Sequence, residues 1–99
     1  MPTFVVLAQF TDQGFRNLRE LPRRARDNQK MAQAAGLTIK AAYVTEGEYD
    51  QVIIFDAPDE QIGVAGLLAL LGQGNIRTRT LRGHSIEEFE QILGKVPTQ

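Results

Sequence analysis

The chain has 99 residues, with eleven Lys and Arg against twelve Asp and Glu and no cysteine. A length of this order makes one thin-cored domain, 1–99, and small domains commonly gain stability by associating. The missing thiols exclude disulfides, thiolate metal sites and cysteine nucleophiles, and a formal net charge of −1 suits nucleic acid poorly, because its partners usually carry a basic excess.

The N-terminal segment has no basic leader, and its apolar run breaks at Gln9. Nothing approaches the roughly 20 apolar residues of a membrane span. The expectation is a soluble, cytoplasmic protein that uses neither a membrane nor nucleic acid.

"TFVVLAQF" (3–10) is β-branched and aromatic and predicts a strand. Phe4, Val6, Ala8 and Phe10 point one way, Val5, Leu7 and Gln9 the other. With apolar residues on both faces, this strand belongs in the middle of a sheet covered on both sides. Thr11 or Asp12 caps a following helix whose inner face reads Phe15, Leu18, Leu21, Ala25, Gln29, Ala32 and Ala35. Pro22 lies too far in for a first turn and predicts a kink or a split. Gly36 ends the helix. Arg23, Arg24 and Arg26 cannot share one helix face, so they read as solvated surface.

A second strand follows at 37–47, with Leu37, Ile39, Ala41 and Tyr43 on one side, and a third at 49–58. Between them Glu46-Gly47-Glu48 supplies the glycine-bearing connection of a hairpin, whose solvated tip tolerates charge. Asp59 and Glu60 start a second helix that is apolar on most sides, with interior Gly63 and Gly66. Those glycines predict a close approach to another backbone, inside the chain or at an interface. A fourth strand spans 75–83, and Ser85 with Glu88 forms a capping box for a short terminal helix with Ile86, Phe89 and Leu93 on its apolar face.

The order is βαββαβ plus a helix. Two split βαβ units give an α+β, ferredoxin-like fold: one antiparallel four-stranded sheet with both long helices on one face. The other face is then left apolar, which predicts a self-associating chain, covered face to face by a homodimer or higher homo-oligomer.

"FTDQG" (10–14), "EGEYD" (46–50), "APD" (57–59) and "GNIRTRTLR" (74–82) resemble the GYD-domain family of small bacterial proteins. The resemblance runs from residue 3 to about residue 90, and the name motif matches Gly47, Tyr49 and Asp50. It implies a ferredoxin-like fold related to dimeric α/β barrels. It supplies no mechanism, and His84 lies outside its motifs.

Six residues are candidates for a ligand site: Tyr43, Tyr49, Asp50, Arg77, Arg79 and His84. Tyr49 and Asp50 offer a donor and a general base at the start of the third strand. Structurally, Tyr49 packs across the hairpin and Asp50 accepts backbone or arginine hydrogen bonds. Arg77 and Arg79 share a face of an edge strand, where charge discourages stray pairing and arginine suits carboxylates of a partner or an anionic ligand. His84 is the one imidazole and has Ser85 beside it but no third member of a triad. One histidine and no thiols argue against a transition-metal site, and no cofactor is expected. Strand-end and helix-start roles account for Asp56 and Asp59, and "GQGN" (72–75) follows a helix, the reverse of a phosphate loop. Three functions fit: a homo-oligomeric accessory protein that binds a small organic molecule, a cofactor-independent isomerase or monooxygenase using Tyr43, Tyr49, Asp50 and His84, and a purely structural assembly module.

Overall fold

The computed structural model describes residues 1–98. Its elements run β1 (Thr3–Phe10), α1 (Asp12–Arg16), a 3-10 turn (Leu18–Glu20), α2 (Leu21–Ala34), β2 (Thr38–Val44), β3 (Gln51–Asp56), α3 (Glu60–Leu71), β4 (Ile76–Gly83) and α4 (Ile86–Leu93). The strands form one antiparallel sheet in the order β2-β3-β1-β4. The α+β class and the βαββαβ order expected from the sequence are therefore present.

The even positions of β1 hold the core. Phe4, Val6, Ala8 and Phe10 are buried, opposite Ile53 and Phe55 of β3 and Ile76 of β4. The Phe4 and Phe55 rings stack with centroids 5.1 Å apart. Burying such a side chain stabilises the fold by about 1.5–3 kcal/mol. α2 contributes Ala32 to this cluster and α3 contributes Ile62, Leu67 and Leu70, so both long helices lie on one face.

The first helical segment divides, but not as Pro22 alone suggested. α1 starts at the Thr11 cap, whose hydroxyl accepts from the Gly14 amide at 3.1 Å, and it ends at Asn17. Pro22 then sits in the first turn of α2, where its missing N–H breaks no helical bond. β2 also departs from simple alternation. Its register shifts between Ile39 and Ala41, so Lys40 is a bulged extra residue. Ile39 consequently joins Phe55 on the covered face while Ala41 and Tyr43 turn to the open one, which separates residues that strict alternation grouped together.

The glycines of α3 are filled by side chains of the same chain rather than by a backbone. A Cβ at Gly63 would stand 2.2 Å from the Phe4 ring, and one at Gly66 would stand 2.6 Å from Leu37. Asp59 caps α3 through the Ile62 amide at 2.9 Å. At the edge of the same face, Arg82 pairs with Glu60 and lies 5.3 Å over the Phe4 ring. The capping box of α4 is complete: the Ser85 amide donates to Glu88 at 2.8 Å and the Glu88 amide donates back at 3.1 Å.

Candidate functional site

The face of the sheet opposite the helices is uncovered, and its residues fall into rows set by the strand register. One row runs Tyr43, Val52, Leu7, Arg79 and the next runs Ala41, Ile54, Val5, Leu81. Gln9 and Arg77 pair above them, while Asp56 and Thr3 close the far end. Each row is roughly 14 Å across, three strand spacings of about 4.8 Å. The surface is thus an apolar centre with a tyrosine on one margin and two arginines on the other.

Exposure follows the same plan. Tyr43 is 66% exposed and Leu81 is 52% exposed. Val5, Leu7, Val52 and Ile54 are half-buried by their neighbours in the sheet. Among the described residues neither Arg77 nor Arg79 takes part in an ion pair, so both guanidinium groups are available to a partner. The polar end is already occupied within the chain, since Asp56 accepts from the Thr3 hydroxyl at 2.5 Å and lies 3.7 Å from the Lys40 ammonium.

Tyr49 and Asp50 lie in the loop between β2 and β3, not on β3 itself. Here the chain reverses from Thr45 to Asp50. The Thr45 amide donates to the Asp50 carbonyl at 2.8 Å and the Thr45 hydroxyl donates to the Tyr49 carbonyl at 2.6 Å. Asp50 fastens this loop to β1: its amide donates to the Ala8 carbonyl at 2.9 Å, and its carboxylate accepts the Phe10 amide at 2.9 Å. Gln9 reaches across to the Glu48 carbonyl at 3.0 Å. Gly47 has φ of +117° with open space around it, so backbone conformation alone calls for glycine there.

The structure therefore gathers five of the six candidates toward one end of the sheet and leaves out His84. Arg77 and Gly83 stand at opposite ends of β4, roughly 20 Å apart at about 3.4 Å per residue, and His84 follows Gly83. Its neighbour in the field is Glu88, whose carboxyl is held below the ordinary carboxylate range, chiefly by the Ser85 amide, then by the Ser85 hydroxyl, with a smaller contribution from His84. None of the six lines the cavity of about 370 Å³ on the helix side between α2 and α3. Among the described residues no three His, Asp or Glu side chains are grouped to hold a metal ion, and no helix is long and apolar enough to cross a membrane.

The apolar centre was signalled in the sequence by Val5, Leu7, Val52 and Ile54, although none of these four is a chemical group that sequence motifs single out. What the arrangement offers is area and rim chemistry. Tyrosine and arginine around an apolar centre is the composition of a protein–protein contact.

Residues 4–93 match the GYD domain family. A protein of Thermus thermophilus named glutamine synthetase and cystathionine beta-lyase binding protein is 35% identical over 90 residues, 90% of this chain and 95% of that protein. No solved structure matches the chain. The family match takes in all four strands but for Thr3, and the loop that carries Gly47, Tyr49 and Asp50; with the relative's near full-length coverage, it makes the chain a member of the GYD domain family.

Proposed function

We propose that this chain is an accessory protein that acts by binding other proteins, and that the open sheet face is its binding surface, covered first by a second copy of itself. The observation that carries this reading is the apolar centre of Val5, Leu7, Val52 and Ile54 between Tyr43 and the unpaired Arg77 and Arg79. An uncovered apolar face of this kind is a site of association. Two such faces brought together form a sheet-on-sheet layer of about 10 Å. The Thermus thermophilus relative is named for binding glutamine synthetase and cystathionine beta-lyase, which supports protein binding as the working mode and supplies two partners to try. A finer version of the reading places a small organic molecule between the paired sheets.

Native mass spectrometry of freshly purified protein tests both levels, because it reads oligomer size and any retained molecule together. The expected result is a dimer or larger assembly whose size Val52→Asp reduces while the chain stays folded. Binding of the wild-type chain to purified glutamine synthetase and cystathionine beta-lyase, weakened by Tyr43→Ala and Arg79→Ala, would extend it to partners. A wild-type assembly indifferent to Val52→Asp would overturn the assignment of this face.

A further inference from the structure

α4 is amphipathic, and nothing among the described residues covers its apolar side. Ile86, Phe89 and Leu93, continued by Val96, recur at the spacing of one helix face, and they are 72%, 48%, 53% and 55% exposed. No residue of α4 is buried. The radius of gyration is 15.3 Å, above the about 13 Å of an ordinary 100-residue domain, as expected when a helix stands off the body.

A matching surface exists elsewhere on the same chain. The cavity between α2 and α3 is an open groove with Phe10 and Ile53 in its lining, and its α3 wall carries Ala65 and Ala69 beside Leu67 and Leu70. Small residues on that wall let a third helix approach closely, with its large side chains entering the gap. The charges also match. α4 carries Glu87, Glu88 and Glu90 with no basic residue between Ile86 and Leu93. α2 carries Arg23, Arg24, Arg26 and Lys30 against Asp27 alone, and Arg24 lines the groove.

α4 does not occupy its own chain's groove: none of its residues lines it, and its apolar stripe stays exposed. α3 lies on the β4 side of the helix layer, where Glu60 meets Arg82, and α2 packs against β2 at the opposite edge. Only His84 and Ser85 join β4 to α4. From Gly83 to Ile86 that is three Cα steps, at most about 11 Å, so α4 starts on the β4 side of α3.

We infer that α4 is an exchange arm: its Ile86–Phe89–Leu93 stripe docks in the α2–α3 groove of a second copy, which returns its own α4 in kind. The contact is on the helix side of the sheet. It goes beyond the binding role proposed for the open face and does not depend on it.

The cysteine-free chain makes a direct test available. Ala69→Cys on the groove wall and Leu93→Cys on α4 both fall at exposed positions, and the two full-length single variants are mixed and oxidised. A disulfide joining one chain of each kind is expected as the dominant product, lost when Phe89→Asp is added to the α4 variant. Tyr43→Cys on the open face replaces Ala69→Cys as a control and is expected to give little product with Leu93→Cys. No mixed disulfide would overturn the inference, as would equal yield with the Tyr43 control. So would an intramolecular bond in a chain carrying both Ala69→Cys and Leu93→Cys. A smaller assembly in Val52→Asp with the Ala69–Leu93 link retained would separate the open-face contact from this one.

Discussion

The two faces of the sheet have nearly the same apolar content along β1 and opposite fates. On the covered face Val6 and Ala8 are wholly buried and Phe4 nearly so, under helices whose glycine at 63 is cut to fit the Phe4 ring. On the open face Val5 and Leu7 have comparable side chains and no cover above them. Hydrophobicity therefore says that a surface must be buried, and only topology says whether the same chain does the burying. Both long helices go to one side here, and in the proposed account the second burial falls to a partner.

Truncation is expected to separate the faces most clearly. Phe4→Ala should lose about 3–5 kcal/mol, the usual cost of emptying an aromatic core site. Leu7→Ala should cost much less in dilute protein and progressively more as concentration rises, because association then adds burial on that face. Denaturant midpoints taken over a concentration series check this. Equal, concentration-independent losses at both positions would mean that the faces do not differ in this way.

How far the sequence could be read depends on how local each signal is. The Ser85–Glu88 capping box, the start of α3 at Asp59 and the positive-φ turn glycine at 47 rest on neighbouring residues, and all were legible. The β2 bulge was not: Lys40 looks like any alternating polar residue, and only the pairing with Phe55 and Ile54 reveals it as extra. Pro22 marked a break but not its position: α1 already ends at Asn17, with the proline in the first turn of α2. Of the candidate site, the open-face apolar residues were legible from alternation. The placement of Tyr49 and Asp50 in a loop, and the isolation of His84, required the fold.

The loop that joins the margins of the two faces gives a second, smaller test. Asp50→Asn should destabilise the chain by roughly 1.5–3 kcal/mol, because the Phe10 amide loses its charged acceptor. Chemical denaturation should show this loss together with faster hydrogen exchange at the Phe10 amide. Unchanged stability with loss of a bound ligand would assign Asp50 to function rather than to anchoring. Gly47→Ala should lose about 1–2 kcal/mol through its left-handed backbone, while Glu46→Gln and Glu48→Gln should stay within about 0.5 kcal/mol, as exposed substitutions usually do.

The least effect is expected at α4, which neither face of the sheet supports. The Glu88 carboxyl is held below its ordinary range by the Ser85 amide. A depressed folded-state pKa contributes stability that is present above the unfolded value and lost as pH falls through the folded one. Acidification below the ordinary carboxylate range should therefore loosen the first turn of α4 and leave β1 intact. Amide shifts of Ser85 and Val6 followed by NMR against pH read the two regions separately, and Glu88→Gln should remove the Ser85 response. A Ser85 shift that persists in that variant would place the titration elsewhere.

The claim that a second copy covers the open face is met most directly by sedimentation equilibrium of the full chain at micromolar concentration, with Val52→Asp alongside. The account predicts a dimer or larger species for the wild type. It predicts a shift to a folded monomer for the variant when α4 exchange is also blocked by Phe89→Asp. A wild-type chain that sediments as a monomer at that concentration would contradict it.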